Sequence, residues 1–155
     1  MNEKNLSAPL EFISNSPNET ENIAAELAKK LAPGSVIAFT GGFGAGKTAF
    51  VRGLAAGLGI DDDVSSPTFA LVHEYKGKKA SLYHFDMYRV ESWDSLYSTG
   101  FFDYLDMGGF LAVEWSENIS AALPENTIFV SIEVLDENIR RITVTGGDNT
   151  EYSGC

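Results

Sequence analysis

Apolar residues recur along the chain at helical and strand spacings, broken by glycine and proline, and the alternation of the two patterns lays out an ordered series of elements. Leu10–Ser14 is a short candidate strand. Ser16-Pro17-Asn18-Glu19 then has the form of a capping box with proline at the first helical position, where its missing N–H removes nothing the helix needs. Ile23, Leu27 and Leu31, with Ala24 and Ala28 beside them, predict an amphipathic helix that Pro33-Gly34 ends. Val36–Thr40 is an unbroken apolar run of strand length, the pattern of a strand buried on both faces of a parallel sheet. A glycine-rich turn follows at once, and Phe50, Leu54 and Leu58 mark a second helix closed by Gly59.

In the second half, Thr68–Tyr75 and Ser81–Tyr88 read as strands joined into a hairpin by Lys76-Gly77-Lys78-Lys79. Trp93–Leu105 predicts a helix broken near Gly100, and Gly109 leads into Phe110–Val113, a second run of buried-strand type. After Pro124, Thr127–Val134 and Arg140–Thr145 predict two closing strands. Strands mixed with helices, and a glycine turn directly after an apolar strand, imply an α/β sandwich whose central sheet is mostly parallel and whose edge strands are antiparallel.

At 155 residues the chain is expected to form a single domain, with a core from about 10 to 145 and frayed polar termini at 1–7 and Gly146–Cys155. The 22 acidic against 11 basic residues give a net charge of −11, which disfavours a free-standing nucleic-acid binder because such binding displaces counterions with a basic patch. Cys155 is the only cysteine, so neither an internal disulfide nor a thiolate metal cluster is expected and a reducing compartment is the natural one. No apolar run has the length of a signal peptide or a membrane span, so a cytoplasmic protein without membrane contact is expected.

Residues 41–48, GGFGAGKT, match the phosphate-loop pattern, with Gly41, Gly46, Lys47 and Thr48 in the fixed places. A triphosphate carries dense negative charge. A loop nearly bare of side chains lets successive backbone N–H groups point inward while the next helix presents its positive end. Gly41, Gly42, Phe43, Gly44, Ala45 and Gly46, with Lys47, Thr48 and Ala49 after them, are therefore the expected nucleotide contacts. Lys47 is expected to reach the β- and γ-phosphates, and the Thr48 hydroxyl to serve as one ligand of an octahedral Mg2+. The fold expected is thus a P-loop NTPase-like three-layer sandwich, with residues 1–155 one nucleotide-binding domain. Such a loop needs a second anchor for the metal, normally an acid at the end of a neighbouring strand; Asp86, after Leu82-Tyr83-His84-Phe85, and Glu114, after Phe110–Val113, are the two candidates.

GGFGAGKT, Ser66-Pro67-Thr68-Phe69, His84-Phe85-Asp86-Met87-Tyr88-Arg89 and Val113-Glu114-Trp115, in this order, resemble the bacterial TsaE (YjeE) family over about residues 10–145. The resemblance implies a P-loop ATPase required for the threonylcarbamoyladenosine modification at position 37 of tRNA. It would act on the transferase formed by TsaD and TsaB and meet tRNA only through those partners. It further implies a weak, Mg-dependent, partner-stimulated activity with ATP as the nucleotide. Lys47 and Thr48 would hold phosphate and metal, Asp86 would be the Walker-B-like acid, and Glu114 a second acid at the metal. Thr68 would sense the γ-phosphate or metal, and Trp115 would lie near the nucleotide. One position departs from the family pattern: Gly42 stands where many members have Asp, which implies slower or more partner-dependent hydrolysis.

Other residues carry blander readings. His84 is expected to be a structural histidine rather than an acid–base catalyst. Phe101, Phe102, Tyr104 and Trp93 read as packing, Arg140 and Arg141 as surface charges, and Asp61-Asp62-Asp63 as a solvated loop. Arg89 suits either an ion pair or a reach to the γ-phosphate. No N-K-x-D sequence occurs, which favours adenine over guanine. Two rival functions share the loop: a small-molecule phosphotransferase, which would need several arginines around the transferred phosphoryl group, and a nucleotide-dependent binding module with negligible turnover.

Overall fold

Seven strands form one mixed sheet in the order β1-β7-β6-β2-β5-β4-β3 in this computed structural model, which describes residues 9–40, 46–61 and 72–146. The strands are β1 (Leu10–Ser14), β2 (Val36–Thr40), β3 (Val72–Lys76), β4 (Ser81–Asp86), β5 (Phe110–Glu114), β6 (Ile128–Val134) and β7 (Arg140–Gly146). The helices are α1 (Pro17–Ala28), α2 (Lys47–Gly57), α3 (Trp93–Ser98) and α4 (Phe101–Leu105), with a 3₁₀ segment at Ser116–Ala122. β6, β2, β5 and β4 run parallel; outside them β3 pairs antiparallel with β4, β7 antiparallel with β6, and β1 antiparallel with β7. The expected mostly parallel centre with antiparallel edges is therefore present.

Strand side chains alternate between the two faces of a sheet, and the core divides accordingly. Ile37 and Phe39 of β2 and Phe110 and Ala112 of β5 pack with α1 and α2 on one face. Val36, Leu111 and Val113 pack with Leu96 of α3, Phe101 of α4 and Ile119 on the other. Every residue of β5 is buried, as expected of a strand covered on both sides. β6 instead alternates: Ile128, Val130 and Ile132 are buried while Phe129 and Ser131 are exposed.

Local signals set the helix ends. The Ser16 hydroxyl accepts from the Glu19 N–H (3.1 Å), and the Glu19 carboxylate accepts from the Asn15 N–H (2.8 Å), one residue earlier than a standard capping box. α2 stops where Ile60 N–H bonds Ala55 C=O (2.8 Å) and Gly59 N–H bonds Ala56 C=O (3.1 Å), the paired bonds of a Schellman ending. The break at Gly100 separates α3 from α4. β4 ends at Asp86, two residues before the predicted Tyr88, because the Asp86 carboxylate accepts the Tyr88 N–H (3.0 Å) and turns the chain. The first part of the predicted Thr68–Tyr75 strand, Asp62 and Asp63, and the tail from 147 to Cys155 lie outside the described residues.

α1 and α2 approach closely through small residues. A Cβ placed on Gly53 would stand 2.8 Å from the Ala24 Cβ, and one on Gly57 would stand 2.5 Å from the Ala25 carbonyl oxygen. An ion pair between Arg52 and Glu21 (3.0 Å) flanks this seam.

Candidate nucleotide site

β2 ends at Thr40 and α2 begins at Lys47, on either side of the glycine-rich segment. Gly46, with φ of +100°, caps α2 in a left-handed conformation that a side chain would strain, so glycine is the residue the geometry favours. The Phe50 N–H bonds the Gly46 carbonyl (3.1 Å) and closes the first helical turn. Lys47 and Thr48 are thus the first two residues of α2, with Ala49 buried behind them. Gly41, Gly42, Phe43, Gly44, Ala45 and Thr68 lie outside the described residues.

Glu114 and Asp86 end the adjacent parallel strands β5 and β4 and stand opposite one another in register. They occupy the carboxyl edge of the parallel strands, where open α/β sheets take their ligands. Lys47 is only 5% exposed, and its ammonium lies 4.0 Å from Oε1 of Glu114. Oε2 of Glu114 lies 2.6 Å from Nε2 of His84, which is fully buried on β4. A buried ammonium stripped of water costs several kcal/mol unless a counter-charge is near, and Glu114 supplies it. Asp86 is half-buried, and its carboxylate is engaged by the Tyr88 N–H, two residues on. Arg89 is exposed.

Trp115 adopts a left-handed backbone (φ 59°) directly after β5, the only non-glycine positive φ among the described residues. This turn sets its ring over the Lys47 ammonium, 5.4 Å from the ring centre, and against Tyr88 at 4.9 Å. The 3₁₀ segment that follows is tied down by polar side chains: Ser116 Oγ donates to the Phe39 carbonyl (3.0 Å), and Asn118 Nδ2 donates to the Met87 carbonyl (2.8 Å). Sequence reasoning missed both. Their only signal is that each is a polar residue just past a buried strand.

Sequence reasoning also left Arg140 as a surface charge. In the structure Nη1 donates to the carbonyls of Asp136 (3.0 Å) and Ile139 (3.2 Å). Arg140 lines a cleft with Ser16, Thr20, Asn138, Ala49 and Gly46, so the turn between β6 and β7 reaches the head of α2. Arg141, by contrast, pairs with Glu133 (2.9 Å) and Glu11 (3.7 Å), as a surface charge does.

Thr48, Asp86 and Glu114 offer hydroxyl and carboxylate oxygens, the donor type Mg2+ prefers. Among the described residues no three His, Cys, Asp or Glu side chains form a cage of their own. That donor set suits a cation which keeps several waters and completes its shell on phosphate oxygens. No helix among the described residues is long and apolar enough to cross a membrane.

The sequence profile of the family described as Threonylcarbamoyl adenosine biosynthesis protein TsaE matches residues 14–142. A tRNA threonylcarbamoyladenosine biosynthesis protein TsaE from Treponema pallidum (strain Nichols) is 39% identical over 132 residues, covering 85% of this chain and 97% of that protein. Its namesake from Bacillus subtilis (strain 168) is 38% identical over 139 residues, 90% of this chain and 87% of the relative. The crystal structure of Bacillus subtilis YdiB superposes with a TM-score of 0.76 at 34% identity, covering 92% of this chain and 88% of the other.

Proposed function

Because the chain belongs to the TsaE family, we propose that it is a cytoplasmic accessory ATPase of tRNA threonylcarbamoyladenosine synthesis. On this reading residues 1–155 form one P-loop nucleotide-binding domain that binds Mg-ATP and hydrolyses it slowly. It does so while acting on the TsaD–TsaB transferase, and tRNA is met through those partners. The observation that carries the reading is the buried Lys47 ammonium at the head of α2, paired at 4.0 Å with an acid at the end of the neighbouring strand β5. Burying an ammonium costs free energy that an apolar side chain there would not. That burial fits a lysine kept for a polyanion that exchanges with Glu114 for its attention.

Lys47 contributes a point charge to the β- and γ-phosphates, beside the backbone N–H groups that open α2. Thr48, Glu114 and Asp86 supply oxygens to a divalent ion, and Glu114 is also placed to orient the attacking water. A Mg2+ ion held by these residues would supply positive charge against that developing on the phosphates. A small cleft beside the head of α2 is lined by Gly46, Ala49 and Arg140. Trp115 lies against the lysine, its ring centre 5.4 Å from the ammonium.

A phosphotransferase fits less well. Of the four arginines, Arg52 and Arg141 are held by carboxylates and Arg140 by backbone carbonyls, which leaves Arg89 alone to meet a transferring phosphoryl group.

The test is release of inorganic phosphate from Mg-ATP without any added acceptor, with and without TsaD–TsaB. Release stimulated by the pair is expected, and Lys47→Ala should abolish ATP binding or turnover. Formation of ADP only when a small acceptor is present, or undiminished binding and turnover by Lys47→Ala, would overturn the assignment.

A further inference from the structure

Positions 82, 84 and 86 of β4 share one face of the sheet, the face on which Leu82 packs with α1 and α2. An aliphatic residue at 84 would complete that core. Instead the position holds His84, fully buried, with one ring nitrogen 2.6 Å from Glu114 and the other, Nδ1, buried without a hydrogen-bond partner among the described residues. A half-satisfied imidazole in an apolar layer costs stability relative to leucine, so the fold gains nothing from it. What it does gain is control of one carboxylate.

Of the two ring nitrogens only Nε2 has a partner, Oε2 of Glu114 at 2.6 Å, so the tautomer that carries its proton on Nε2 turns this contact into a donated hydrogen bond. We propose that His84 is a positioning residue for the nucleotide site: its Nε2–H holds Oε2 of Glu114, so that Oε1 is presented to Lys47 and to the divalent ion of a bound nucleotide. The proposal rests on the Mg-ATP reading above and adds to it the residue that sets the direction of the acid. Glu114 is the last residue of β5, immediately before the left-handed turn at Trp115, so β5 itself constrains its side chain little on the far side. Without the imidazole the carboxylate is free to rotate onto Lys47 with both oxygens. It would then compete with the phosphates instead of assisting them.

Two measurements test this. Long-range 1H–15N correlation spectra of the nucleotide-free wild-type protein should show His84 protonated on Nε2; a ring without a proton there overturns the proposal. Calorimetric titration of ATP at varied Mg2+ should then be run on wild type, His84→Leu and His84→Gln, whose amide nitrogen restores a donor near the place of Nε2. The leucine variant should need about 10–100-fold more Mg2+ for half-maximal ATP binding, the usual cost of losing the group that orients a metal ligand. The glutamine variant should recover most of that loss. Unchanged Mg2+ dependence in the leucine variant, or equal impairment of both variants, would overturn the positioning role while leaving the nucleotide site standing. Absence of Mg-ATP binding by the wild type would instead remove the functional reading on which it rests. Should the leucine variant not fold, the wild-type ring spectrum and the glutamine variant decide the matter.

Discussion

Two side-chain pairs set carboxylates beside specific partners: Glu114 beside Lys47 in a buried site, and Glu74 beside Tyr104 at the surface. The Tyr104 hydroxyl donates to the Glu74 carboxylate at 2.6 Å, and this bond, with some burial and the nearby negative charge, pushes the phenol pKa up to about 12. Its folded value lies above the ordinary 10, so the stabilisation is complete below pH about 10 and is lost as pH rises toward 12. The stability difference between wild type and Tyr104→Phe, followed by denaturant unfolding, should therefore hold constant up to pH about 10 and shrink above it; a difference that persists undiminished through pH 12 would show that the hydroxyl does not donate to Glu74. Lys47, Asp86 and Glu114 were legible in the sequence because a motif and two strand ends name them without any knowledge of packing. The tie between His84 and Glu114 was not, since it depends on how β4 and β5 are registered, thirty residues apart in the chain. Arg140 was illegible for a similar reason: only the folding of β7 back beside α1 brings it near Gly46.

Elements were read most accurately where capping chemistry and periodicity agree. Ser16-Pro17 starts α1, the apolar runs become β2 and β5, and the Gly100 break falls where expected. The 3₁₀ segment at 116–122 was not foreseen, because its stability comes from tethers to β2 and to the turn after β4 rather than from its own pattern. The α1–α2 seam makes a prediction of its own. Replacing glycine by alanine inside a helix ordinarily gains up to about 1 kcal/mol from propensity. At Gly53 the added methyl would meet the Ala24 Cβ at 2.8 Å and the backbone of α1, and overpacking of that kind costs about 1–3 kcal/mol. Backbone cannot swing aside as a flexible side chain does, so Gly53→Ala should be net destabilising and lower the melting temperature. A rise in melting temperature would mean that α1 shifts freely and that the seam is not close-packed.

Across the molecule, the sheet has two differently built halves. The β6-β2-β5-β4 region gathers Thr40, Asp86 and Glu114 at one edge beside the head of α2. The outer strands β7 and β1 extend the sheet from β6 without contributing an acid to that edge. The parallel centre was legible because strands covered on both faces have few polar positions, whereas strand order was not, since nothing local says that the first strand pairs with the last. That pairing sets Leu10 opposite Val144, which puts the start of the first strand and the close of the final one side by side, away from the sheet edge that carries Asp86 and Glu114. A circular permutant follows from it. Splicing the present ends through their own polar tails and opening the chain between Lys78 and Lys79, in the β3–β4 turn, should yield a protein that, on the proposed Mg-ATP reading, binds Mg-ATP as tightly as the parent chain, because the new break interrupts neither the α2 head nor the β4–β5 register.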